Sequence, residues 1–81
     1  MNGTDLMKGD VADLALRLET MTDDEVFLAM NALEKTSETS SGDDQDEVLS
    51  RIALIEAEIE SRFPGQLLAP YREWKNDQLL L

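Results

Sequence analysis

The residues best equipped for chemistry in this chain are carboxylates, and they come in two tight runs. "DDQDE" places Asp43, Asp44, Asp46 and Glu47 within five positions, and "EAEIE" places Glu56, Glu58 and Glu60 at alternate positions. Such runs could hold a divalent cation or share a proton in acid–base work. A calcium loop needs acids at alternate positions, glycine at the sixth and a bidentate Glu at the twelfth. Counted from Asp44, the sixth position is Leu49 and the twelfth Ile55; counted from Asp46, the sixth is Arg51. The register fails, so no metal site is expected. Acid–base catalysis needs a cleft that drives two carboxyl pKa values apart, and a few short helices rarely build one. Glu56 and Glu60 lie one helical turn apart, where like charges repel mildly, as on a solvated face.

The rest of the inventory narrows the choice further. The 81 residues contain no cysteine and no histidine. Thiol chemistry, the Ser-His-Asp triad and its variants, zinc sites built on thiolates and the commonest metal ligand are all absent. We therefore expect no catalytic residues, no cofactor and no metal: the chain is not read as an enzyme. The one other stretch with chemical character is "PYREWK". Tyr71 and Trp74, half of the four aromatic residues, flank Arg72 and precede Lys75. Trp, Tyr and Arg dominate binding hot spots, so Tyr71, Arg72 and Trp74 are candidate partner contacts. The alternative role for Trp74 is to close one end of the core.

Charge is distributed unevenly. From Glu19 to Glu47 there are ten acids and one base, Lys35, which places about −9 of the net −11 in one third of the chain. Acids in the first turn of a helix oppose the positive end of its dipole, and this accounts for Asp23, Asp24, Glu25 and for Asp43 to Glu47. It does not account for the missing bases, because ordinary helical surfaces intersperse both signs. An acidic surface steers a protein to a basic one. Asp43, Asp44, Asp46 and Glu47 are accordingly the second group of candidate partner contacts. The same charge disfavours direct binding to nucleic acid and to anionic lipid.

Apolar spacing identifies the elements that must carry these groups. Residues 1–9 show no period and read as a flexible leader. Residues 10–81 form one helical domain. Asp10 can cap a helix over 11–20, in which Val11, Leu14, Ala15 and Leu18 form the apolar stripe. "TDDE" is a capping-box signature, with Thr22 and Glu25 reciprocally bonded at the start of a helix over 23–36. Met21 and Val26 are placed to staple that start. Val26, Ala29, Met30 and Leu33 continue its apolar face, widened by Phe27. The run of Ser and Thr before Gly42 reads as a loop over 37–43, because these side chains compete for backbone hydrogen bonds. A long helix over 44–63 carries Val48, Ile52, Ile55 and Ile59, the 4-3-4 spacing of a helix–helix seam. Pro64-Gly65 stops it, and a short helix over 70–78 follows. The final "LLL" is apolar and calls for a cover: the chain itself, a second subunit or a partner's groove.

These elements predict an all-α fold, a small helical hairpin or three-helix arrangement. No strand pattern appears, and no apolar run approaches the roughly 20 residues of a membrane span. The first ten residues lack the basic and apolar regions of a signal peptide, and the lack of cysteine fits the cytoplasm. A chain of this size has a marginal core and usually needs a staple. With disulfide and thiolate zinc excluded, oligomerisation remains, so the seam at Val48, Ile52, Ile55 and Ile59 predicts a homodimer. The function expected is a small acidic protein-binding regulator, an inhibitor or antiactivator that masks a basic or helical surface on a partner such as a DNA-binding regulator. The competing readings are a structural or adaptor subunit of a larger assembly and a mimic of DNA charge. Clustering of the acids at helix starts, instead of along one face, weighs against mimicry.

The capping box makes a testable claim. If Thr22 starts a new helix, Thr22→Ala lowers stability by about 0.5–2 kcal/mol in a denaturant melt. If the helix runs through Thr22, alanine is neutral or stabilising.

Overall fold

The computed structural model describes residues 6–79. The first five residues of the expected leader and the leucines at 80 and 81 lie outside the described residues. Among the described residues the fold is all-helical: α1 (Val11–Thr20), α2 (Asp23–Thr39), α3 (Asp43–Arg62) and α4 (Ala69–Leu79). No helix among them is long and apolar enough to cross a membrane. The same residues hold no group of three or more acids placed to bind a metal ion.

The first two helices are set by side chains at their starts. The Asp13 amide donates to the Asp10 carboxylate at 3.0 Å, and the Asp10 amide donates back to the Asp13 carboxylate at 3.2 Å. Two residues beyond the end of α1 the device repeats. The Glu25 amide donates to the Thr22 hydroxyl at 3.2 Å, and the Thr22 amide donates to the Glu25 carboxylate at 2.9 Å. The chain thus breaks at Met21 and Thr22, both extended, and restarts at once. The bond from the Thr22 amide, followed by that with its hydroxyl, holds the Glu25 carboxyl below the ordinary range. Its contribution is present above the ordinary Glu value of about 4.3 and is lost as pH falls through the lower, folded-state value.

The α2–α3 connection differs from the expected loop over 37–43. Helix α2 continues to Thr39, leaving only residues 40–42 between the helices. The hydroxyls that were expected to break the helix bond back into it. Thr36 donates to the carbonyl of Ala32, Ser37 to Glu34, and Ser40 to Thr36 at 2.7 Å. This i−3/i−4 back-bonding lets Ser and Thr stay helical at modest cost. Gly42 then turns the chain at φ +61°, a left-handed conformation that disfavours a side chain.

So short a connection makes α2 and α3 antiparallel neighbours. An ion pair at the far end, Arg62 Nη1 to Asp23 at 2.9 Å, confirms the pairing. Helix α1 packs on α3 in the parallel sense: Gly9, just before it, meets Arg51, and Leu18, near its end, meets Arg62. The core fills the space between these helices. Val48, Ile55 and Ile59 of α3 are at most 1% exposed, against Leu14 and Leu18 of α1 and Val26, Ala29, Met30 and Leu33 of α2. Ile52 is half-buried against the same cluster.

Three of the four seam residues, Val48, Ile55 and Ile59, are enclosed by the chain itself. The stagger of a coiled-coil seam and the core face of a hairpin helix have the same spacing, and intramolecular neighbours took the face. The leader, expected to be loose from 1 to 9, is structural in its described part. Leu6 is fully buried in the core, and the Gly9 carbonyl accepts from Arg51 Nη2 at 2.9 Å.

Two arginines of α3 supply the polar ties. Arg51 is buried; its Nη1 bonds the Glu47 carboxylate at 2.9 Å and the Glu47 carbonyl at 3.2 Å. Its Nε finds no acceptor among the described residues. Arg62 reaches Glu58 through Nε at 2.8 Å, Asp23 through Nη1 and the Leu18 carbonyl through Nη2 at 2.8 Å. The bonds to Glu58 and then Asp23 push its guanidinium pKa further up, so it is charged at any working pH. Arg62→Met keeps most of the packing stem and removes all three bonds. The expected loss is about 1–2 kcal/mol, reduced from the buried-charge figure because Asp23 is half-exposed. Chemical denaturation checks it, and Arg62→Lys, which cannot fork to three acceptors, should recover less than half.

Candidate protein-interaction surface

Helix α4 is positioned by aromatic packing. Phe27 of α2 lies at the centre, with ring centroids 6.0 Å from Phe63, 6.0 Å from Tyr71 and 5.9 Å from Trp74. Tyr71 and Trp74 stack at 6.2 Å. All four aromatic residues of the chain therefore form one cluster. Such contacts prefer the offset and tilted arrangements seen here and add to the burial of the rings. Pro64-Gly65 ends α3 just beyond Phe63, and the turn that follows brings α4 back over α2.

The sequence grouped Tyr71, Arg72 and Trp74 as partner contacts, and the structure separates them. Tyr71 is 2% exposed and belongs to the core. Its phenol donates to the Glu34 carboxylate, and Lys75 Nζ completes the group, 3.5 Å from Glu34 and 5.4 Å above the tyrosine ring. Tyr71 occupies the inner side of α4 because its ring packs on Phe27 while its hydroxyl still finds an acceptor. Burial, reinforced by the bond to Glu34, pushes the phenol pKa well up. Arg72 points the other way, exposed, into a cleft beside α3. Trp74 does two things. It packs against Phe27 and stacks on Tyr71, and, half-buried, it also lines a groove.

That groove runs between α2 and α4 and has a volume of about 700 Å³. Leu28, Asn31 and Trp74 supply its less polar wall, and Glu34, Lys35, Glu38 and Lys75 its charges. Leu28 is 46% exposed. It lies one position off the apolar stripe of α2, and that is the signal a sequence reading can use: a leucine beside, not on, the core face. Glu34 and Lys75 neutralise each other inside the groove. Glu38, at its open end, is exposed.

The acidic candidates Asp43, Asp44, Asp46 and Glu47 are all exposed over the first turns of α3. Asp43, Asp44 and Asp46 sit where the helix dipole favours negative charge. Glu47 is also tied to Arg51. Glu38 has no such explanation. It stands in the last turn of α2, which contains no base, where the dipole favours a cation. Three connecting residues separate that helix end from Asp43. One end of the α2–α3 hairpin therefore presents Glu38 and the Asp43–Glu47 run beside the groove.

Comparison with known proteins finds no matching family model, no matching curated protein and no matching solved structure. The functional reading rests on the surface itself.

The buried phenol predicts a pH dependence. Its folded-state pKa lies above the ordinary value of about 10, so its contribution to stability is complete below that pH and is lost as pH rises toward the folded-state value. Tyr71 is the only tyrosine, so tyrosinate absorbance reads it directly. Ionisation should be delayed past pH ~10 and coincide with loss of helical circular dichroism. Tyr71→Phe should cost about 1–2 kcal/mol at neutral pH, the typical worth of a hydrogen bond to a charged acceptor discounted for the part-exposed Glu34, and should flatten the alkaline limb.

Proposed function

We propose that the protein is a small acidic protein-binding regulator, an inhibitor or antiactivator that covers a basic or helical surface on a partner such as a DNA-binding regulator. It acts by occupying that surface and not by catalysis, without a cofactor, in the cytoplasm. One observation carries the reading. The hairpin end places Glu38 against the unfavourable end of its helix dipole and adds the exposed Asp43, Asp44, Asp46 and Glu47 across a three-residue connection. Local stability asks for a cation at Glu38. A break in local consistency with no compensating contact is the usual mark of a functional site. A basic partner surface supplies the missing cation.

The groove adds the apolar half of the contact. Leu28 and the half-buried Trp74 give a partner something to bury, and hot spots form where an aromatic anchor is desolvated inside a polar rim. The Asp43–Glu47 acids then act as that rim. Tyr71 supports Trp74 from beneath and takes no direct part. The reading needs no contact with nucleic acid; access to DNA is denied by occupying its protein reader.

The test separates steering from anchoring. Replacing Asp43, Asp44 and Asp46 by Asn should lower the association rate with a partner protein isolated by affinity pull-down from native lysate more than it raises the dissociation rate. The loss should shrink above roughly 0.15 M salt, where the screening length falls to about 8 Å. Trp74→Ala should mainly raise the dissociation rate, at a cost of about 2 kcal/mol or more. Binding kinetics run beside circular dichroism melts distinguish this from unfolding. A triple Asn variant that associates at the wild-type rate at low salt leaves the acids with solvation only and rejects the proposal.

A further inference from the structure

Another cleft lies between the C-terminal half of α3 and the start of α4, with a volume of about 540 Å³. Ala57 and Leu68 line it, Glu56 and Glu60 stand on the α3 side, and Arg72 on the α4 side. At its lip is Leu67, 72% exposed, the most exposed large apolar side chain among the described residues. Its backbone is unusual. Leu67 is the second residue of a turn closed by the Ala69 amide on the Gln66 carbonyl at 3.1 Å. Its φ is +56°, and among the described residues no other non-glycine position has a positive φ. Glycine or asparagine ordinarily takes such a place, and a leucine there costs free energy in the isolated chain. Among the described residues no contact covers the side chain, which is 72% exposed.

The charges of the cleft are also unmet. The Arg72 guanidinium and the Glu56 carboxylate make no ion pair or hydrogen bond among the described residues. Glu60 uses one oxygen to accept from the Gly65 amide at 3.0 Å, which braces the turn that presents Leu67. Glu56 and Glu60 repel each other along one helix face. A knob, a recess, a free cation and free anions thus share one patch.

We infer that this patch is a self-association surface and that its occupant is a second copy of this chain. A two-fold interface is isologous, so the patch must be complementary to itself. This one is: Leu67 of each copy fills the recess over Ala57 and Leu68 of the other, and Arg72 of each faces Glu56 of the other. The acidic hairpin end lacks this property, because two copies would meet there as like charges. The helix seam is less available as well, since Val48, Ile55 and Ile59 are enclosed by the chain itself. The inference is independent of the proposed regulatory function, because it uses neither the groove nor the acidic hairpin end.

Sedimentation equilibrium of the full chain at about 0.15 M salt, where remote repulsion is screened, tests it. The wild type should pass from monomer to dimer mass as concentration rises. Leu67→Gly relieves the left-handed strain, so it should keep or raise the denaturant midpoint while weakening the dimer by at least about tenfold, one hot-spot side chain's worth. Arg72→Glu alone and Glu56→Arg alone should each be monomeric with wild-type helicity, both sites being exposed. Mixed in equal amounts, these two variants should form a heterodimer, because each swapped charge then meets its opposite. A wild type that remains monomeric up to about 1 mM, where even weak specific contacts register, overturns the inference. So does a dimer indifferent to Leu67→Gly and Arg72→Glu, or a charge-swapped pair that fails to associate on mixing.

Discussion

A single guanidinium holds the ends of three helices together. Arg62 is the last residue of α3, and its three nitrogens reach Glu58 on its own helix, the Leu18 carbonyl near the end of α1 and Asp23 at the start of α2. The break between α1 and α2 is sharp, and it concentrates the negative end of one dipole and a first-turn acid of the next helix in the same place. A cation is the natural occupant of that place. Lysine could neutralise it but could not fork to three acceptors. With this corner tied, α1 must run alongside α3 and α2 must run against it, and the core face of α3 is fixed between them. Arg51 repeats the tie about three turns back by capturing Gly9, just after Leu6 enters the core. A chain with no disulfide and no thiolate metal site thus uses two arginines where other small domains use covalent or metal staples.

The opposite end of the hairpin is organised by a different balance. Back-bonding hydroxyls carry α2 on to Thr39, and Gly42 permits a tight return. No arginine arrives there. The acids of α3 are stabilised by its own dipole, whereas Glu38 stands at the negative end of the α2 dipole and makes no ion pair among the described residues. One end of the hairpin is electrostatically closed and the other open. That asymmetry distinguishes a stabilising use of charge from an available one more sharply than net charge does.

What could be read from the residues divides along the range of the interaction. The Thr22–Glu25 box and the Asp10 cap lie within four residues, and both were legible because their partners are adjacent in sequence. The burial of Val48, Ile55 and Ile59 was legible from their spacing, but the identity of the neighbour was not; a period states which face is covered and not by what. Leu6 was illegible, a lone leucine in a segment without a period, and so was the burial of Arg51, a charged residue whose acceptor lies 42 positions away. The Ser/Thr run misled because these side chains serve loops and helix ends with the same hydroxyl. Of the candidate surface, the clustering and exposure of the acids at Asp43–Glu47 could be read directly. The inward turn of Tyr71, the exposure of Leu28 and the strained position of Leu67 depend on how α4 folds back, which no local pattern encodes.

The aromatic cluster has a practical consequence. The chain contains one indole, and it packs on Phe27 and Tyr71 while lining the groove between α2 and α4. Its emission wavelength therefore senses two events at once: separation of α4 from the core, which wets the ring, and occupation of the groove, which dries its exposed part. The first moves the spectrum to the red and the second to the blue. The protein carries its own optical probe, and opposite signs keep unfolding from being mistaken for binding.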